Sequence, residues 1–91
     1  MKIILTEPAL ADLEEIRAYV ARQQPSALQP LRRYLLLTLV RIKRFPHSSP
    51  LITNRKGVRC AALLKYPYKI FYTVSADYVH ILHFYHTSRD K

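Results

Sequence analysis

Apolar residues recur at helical spacing in the first half of this chain and at strand spacing in the second, and their order predicts the architecture. Residues 2–6, Lys-Ile-Ile-Leu-Thr, read as a short strand. Thr6 suits a helix N-cap, and Glu7 and Pro8 suit the first turn after it. Proline loses no hydrogen bond there, and a carboxylate meets the positive end of the helix dipole. Ala9, Leu13, Ile16 and Val20 then recur at steps of four, three and four, one apolar stripe on a helix of about 15 residues. Gln23-Gln24-Pro25-Ser26 is a break, with Ser26 the candidate cap of a second helix. Leu28, Leu31, Leu35, Leu39 and Ile42 form the stripe of that helix. Pro30 is tolerated in a first turn and harmful later, so an irregular start is expected. Pro46 and Pro50 end the helix and begin a loop that runs to Lys56.

From Gly57 onward the spacing becomes that of strands. Three runs, at 58–64, 68–74 and 78–85, are separated by Tyr66-Pro67 and by Ser75-Ala76-Asp77. Gly57 is the only glycine and is expected to serve a turn or bulge at the entry to the first run. Two helices covering one sheet face give a two-layer α+β domain. The expected form is an N-terminal helical hairpin packed on a small antiparallel sheet, in the order β-α-α-β-β-β. At 91 residues one domain spanning 1–91 is expected.

Charge adds what periodicity does not. Lys and Arg number 15 against 6 Asp and Glu, a formal charge of +9. From Ile16 to Ala76 there is no acidic residue at all. Such a field attracts RNA, DNA or an acidic protein and carries a self-repulsion cost when the protein is alone. Arg32, Arg33, Arg41, Lys43 and Arg44 give the second helix a basic exposed side. Residues 57–89 hold five of the seven tyrosines, with Arg59, His80, His83, His86 and Arg89. No run approaches the ~18–20 apolar residues that span a bilayer, so no membrane partner is expected. The N-terminus has no secretory pattern, and the default location is cytoplasmic. Cys60 is the only cysteine; it has no internal disulfide partner, and no Cys/His spacing resembles a metal site. No cofactor is expected.

Several patterns occur in a fixed order. They are Ala9-x-x-Asp12-Leu13-x-x-Ile16-x-x-Tyr19, a leucine-rich second helix, Phe45-Pro46, Gly57-x-Arg59 and Pro67-Tyr68-x-Ile70-x-Tyr72-x-Val74. Asp77-x-Val79-x-Ile81-Leu82 and His86-x-x-Arg89 complete the series. In combination they resemble the RelE/ParE superfamily of type II toxins, most closely its ParE branch. The resemblance implies a toxin held inactive by a cognate acidic antitoxin, in a toxin–antitoxin hetero-oligomer. It implies DNA gyrase as the target of a ParE-like member, and the ribosome with its mRNA as the target of a RelE-like endoribonuclease. In the RelE-like case Arg59 would contact the scissile phosphate, and His86 or Tyr85 would act as acid or base. Arg55, Lys56 and Arg89 would bind flanking phosphates or the target. The loop 46–54 offers only His47 as a titratable group, which favours the ParE-like reading. A nonenzymatic nucleic-acid-binding module is the third reading, supported by charge alone.

Strand parity bears on the catalytic reading. Pairing 59 with 72, and 72 with 81, puts Arg59, Tyr72, Ile81, His83 and Tyr85 on one face of regular strands. His86 then falls on the other face with Leu82 and Phe84. A bulge, or fraying past Tyr85, would reverse that assignment.

Overall fold

A computed structural model describes residues 1–87. The elements are β1 (Lys2–Leu5), α1 (Glu7–Gln23), a single 3₁₀ turn (Pro25–Ala27), α2 (Leu28–Arg44), β2 (Arg59–Ala62), β3 (Tyr68–Val74) and β4 (Tyr78–His86). The two helices pack on one face of a four-stranded sheet of order β1-β4-β3-β2. The α+β architecture follows the expectation, with one difference in the sheet. β2, β3 and β4 form the antiparallel meander, but β1 adds to the edge of β4 in parallel, so the sheet is mixed. Hairpin links can join only antiparallel neighbours. β1 is separated from the meander by both helices and is free of that constraint.

Thr6 starts α1 as its composition suggests. Its backbone is extended, and its Oγ1 accepts from the Ala9 N–H at 3.3 Å. Ala9, Ile16 and Val20 face the core. Ser26 does not cap α2. It lies in the 3₁₀ turn opened by Pro25, and Ala27 precedes the helix with no side-chain cap. Pro30 stands in the first turn of α2, where an N–H has no intrahelical acceptor to lose. Leu31 and Ile42 are buried, and Leu28, Leu35 and Leu39 pack against the core from the same side. Thr38 is buried too, and its hydroxyl donates to the Tyr34 carbonyl at 2.7 Å.

β4 carries a bulge. Tyr72 pairs with Ile81 but Phe71 pairs with His83, leaving Leu82 unpaired. Thr6, the N-cap of α1, holds this irregularity. The Thr6 hydroxyl lies 2.7 Å from the Ile81 carbonyl and 3.2 Å from that of Leu82. Further along, β1 has ended and, among the described residues, no strand pairs with β4 on that side. The Asp12 carboxylate takes its place, accepting from the Phe84 N–H at 3.1 Å. An unpaired strand edge costs free energy when buried, and α1 supplies the partners that a longer β1 would have supplied.

Candidate functional site

The meander positions every candidate of the strand region. Arg59 opens β2 opposite Tyr72, and both side chains lie on the helix-covered side of the sheet. Tyr72 is fully buried, yet its phenol reaches the rim of the core and donates to the Pro46 carbonyl at 2.8 Å. The Arg59 Nη1 donates to the carbonyls of His47, at 3.1 Å, and Ser49, at 2.7 Å. Together they fasten the segment that leaves α2. That segment then runs beside β2: Leu51 bridges Arg59, and Cys60 N–H donates to the Pro50 carbonyl at 3.0 Å. The Ile52 N–H donates to Val58 O at 2.9 Å. The outer edge of β2 is thereby covered, a protection that open sheet edges need.

Arg55 and Lys56 are exposed on the turn that follows, and Gly57 closes it with φ of +76°. Only glycine adopts that conformation without strain. His86 lies at the other end of the sheet. It pairs with Tyr68, whose ring meets the imidazole edge-on at 4.9 Å between centroids. Tyr85 points to the open face, packed edge-on to Phe71 at 6.2 Å. Arg89 lies outside the described residues.

The bulge corrects the parity expected from regular strands. Arg59, Tyr72, Ile81, Phe84 and His86 share the helix-covered face, while His83 and Tyr85 turn away from it. His86 therefore shares a face with Arg59, but the two are not neighbours. Their partners on β3, Tyr72 and Tyr68, are four residues apart, and β3 lies between them. At strand spacings of ~3.3 Å per residue and ~4.8 Å per strand, that separation is roughly 16 Å.

Three features were not singled out by sequence reasoning. His83 Nδ1 lies 2.9 Å from Asp12 Oδ2, so one carboxylate binds both a side chain and the backbone of β4. The helix-one pattern holds Asp12, but only the bulge brings it to β4. A hollow of about 180 Å³ beside it is lined by Asp12, Glu15, Ile16, Phe84, Tyr85 and His86. A larger groove of about 300 Å³ runs between the helices. Leu13, Ile16, Leu28 and Leu35 line its floor, with Arg17 and Arg32 at its rim. Arg17 is hydrogen-bonded to Glu14, which holds that exposed carboxyl below its ordinary range.

Burial pushes the Cys60 thiol up, with the Lys69 charge opposing the shift. Among the described residues no group of three or more His, Cys, Asp or Glu could hold a metal ion. Among them, too, no helix is long and apolar enough to cross a membrane.

The arrangement bears comparison with known proteins. The family model described as "ParE toxin of type II toxin-antitoxin system, parDE" matches residues 3–91. No curated protein matches the sequence significantly. Among solved structures, a chain of the chromosomal ParDE TA system from P. aeruginosa is similar, with a TM-score of 0.79 at 19% identity over 92% of each chain. At that identity the likeness is one of fold.

Proposed function

The chain belongs to the ParE toxin family of type II toxin–antitoxin systems, and on that footing we propose that it arrests growth by binding DNA gyrase and is neutralised by an acidic antitoxin. The carrying observation is what the fold does with Arg59. A nuclease of this size needs a cation free to meet the scissile phosphate, with a proton donor or acceptor beside it. The Arg59 guanidinium instead spans two loop carbonyls, and His86 stands at the far end of the sheet. A docking role asks for neither a free Arg59 nor a neighbouring His86.

The antitoxin half of the proposal is supported by charge and by the interhelical groove. The span from Ile16 to Ala76 holds no acid. The groove joins a leucine and isoleucine floor to arginines at its rim. An antitoxin segment that carries apolar side chains between acids is complementary to both features. The pair is expected to form a hetero-oligomer in the cytoplasm.

Gyrase assays with purified protein test the target. Inhibited supercoiling or stabilised cleavage complexes at micromolar toxin are expected, relieved by the antitoxin. Unchanged gyrase activity, together with mRNA cut in the ribosomal A site, would replace this reading with the RelE-like one. Arg59→Ala and His86→Ala separate the two further. Gyrase inhibition by these variants should fall only as far as their stability falls, whereas a nuclease would lose its cleavage by orders of magnitude.

A further inference from the structure

α2 is apolar on two sides, and only one of them is used by the core. At 100° per residue, Leu36, Leu37 and Val40 fall opposite Leu31 and Ile42. They are 53%, 56% and 54% exposed, whereas Leu31 and Ile42 are buried. Leu36 and Val40 are one helical turn apart, as are Leu37 and Val40, so the three form one ridge. Exposed Arg32, Arg33, Lys43 and Arg44 surround the ridge. A shallow hollow of about 300 Å³ beside it is lined by Gln29, Arg32, Arg33, Leu36 and Leu37. Helices that are apolar on both sides are ordinarily covered on both.

Three properties of this face select its occupant. The backbone of a helix is saturated by its own hydrogen bonds, so an added strand finds no ladder here. The apolar ridge at the centre has nothing to offer a phosphate backbone, although its rim does. A second copy would set the same four cations against one another, with no acid anywhere on α2 to pair with them. Apolar side chains for the ridge and carboxylates for the rim are what the face lacks.

We infer that the outer face of α2 is a docking surface for an acidic amphipathic helix of another protein, separate from the interhelical groove. The occupant lays leucine-sized side chains along Leu36, Leu37 and Val40. It places Glu or Asp within reach of Arg33 and Arg44 at the two ends of the ridge, and of Arg32 and Lys43 along one side. Contact at i, i+3 and i+4 is the usual grammar of helix recognition. The surface goes beyond the toxin reading and stands whichever target that reading finds.

The test is a titration with two synthetic helical peptides. Both carry leucines at i, i+4 and i+7; one is flanked by glutamates and the other by lysines. Binding is read by fluorescence anisotropy and mapped by amide chemical shifts. Micromolar binding of the glutamate peptide alone is expected, with shifts centred on Arg33, Leu36, Leu37 and Val40. Leu36→Gln with Val40→Gln should weaken it at least tenfold while leaving the thermal midpoint unchanged, because both side chains face solvent. Arg33→Glu with Arg44→Glu should turn the preference toward the lysine peptide. The inference is overturned by no binding at millimolar peptide, or by binding unchanged in the Gln variant. Shifts confined to the groove around Leu13, Ile16 and Leu35 would also overturn it. So would loss, in the Gln variant, of self-association or of binding to anionic phosphatidylglycerol vesicles where the peptide does not bind.

Discussion

Asp12 shows how much one side chain carries here. Its carboxylate accepts from the Phe84 N–H at 3.1 Å and faces His83 Nδ1 at 2.9 Å. Removing it leaves a strand N–H without an acceptor, at a cost of about 1–3 kcal/mol. Asp12→Ala is therefore expected to lower the urea midpoint with little change in slope, and His83→Ala to lower it less. Equal effects would show that the backbone bond contributes nothing. Tyr72 makes a comparable contact at the other end of the core. Tyr72→Phe keeps the buried ring and loses only the bond to the Pro46 carbonyl, about 1 kcal/mol. Hydrogen exchange at Ile52 and Cys60 should quicken in Tyr72→Phe and more so in Arg59→Ala, because the two anchors share one loop.

Cys60 gives the pH dependence at this scale. Its thiol is raised by burial, so the neutral form is favoured in the folded protein. The corresponding stability is present below the thiol's unfolded range and is lost as pH rises through the folded value. Alkylation of Cys60 should accordingly be slower than that of a free thiol near pH 8 and should catch up at higher pH. A rate equal to the free thiol at pH 8 would contradict the burial argument.

At the scale of elements, the bulge in β4 decides which side chains meet the helices. Leu82 is the extra residue, and the Thr6 hydroxyl and the Thr6 N–H hold the carbonyls around it. A regular ladder that kept Leu82 would send Val79 and Ile81, or else Phe84 and His86, to the wrong face, whereas deleting Leu82 leaves Ile81, Phe84 and His86 all on the helix-covered face. The deletion variant is therefore expected to fold, losing about 1 kcal/mol with the Thr6 contact to the Leu82 carbonyl; a failure to fold on thermal melting would mean that the bulge does more than set the facing of β4. Thr6→Ala also removes a helix cap, about 1 kcal/mol, and the hydroxyl that serves the bulge. The strand order of the meander, the two helices and the solvent-facing cations of α2 were all legible in the spacing of residues. The Arg59–Tyr72 and Tyr72–Ile81 pairings were legible too, because turn positions fix register in a meander. The bulge was not, since nothing in Ile81-Leu82-His83 distinguishes a paired leucine from an unpaired one. Ser26 misled for a related reason: a good capping residue was overridden by the turn that Pro25 begins next to it.

At the scale of the whole molecule, the helices and the meander leave, among the described residues, two prominent apolar features uncovered on a strongly basic body. One is the groove between α1 and α2; the other is the ridge on the far side of α2. A small domain has little core with which to offset the repulsion among its cations. An acidic partner would lower that repulsion while covering apolar surface, so its binding and the stability of the domain would be coupled. The thermal midpoint should rise when antitoxin is added, by more at low salt than at high salt. A rise independent of salt would leave apolar burial as the only source.

The sequence by itself determined the elements, their order, the basic field and the family pattern, because periodicity, caps and composition are local properties. It also placed Arg59 on the sheet and Arg55 and Lys56 on a turn. Tertiary structure decided that β1 joins β4 in parallel, that His86 shares a face with Arg59 yet stands a sheet-width away, and that Arg59 ties down the loop. It also decided that Leu36, Leu37 and Val40 face solvent while their neighbours in the same leucine-rich run face the core. These outcomes rest on contacts between residues far apart in the chain, and an apolar side chain does not say which of two apolar sides it will cover.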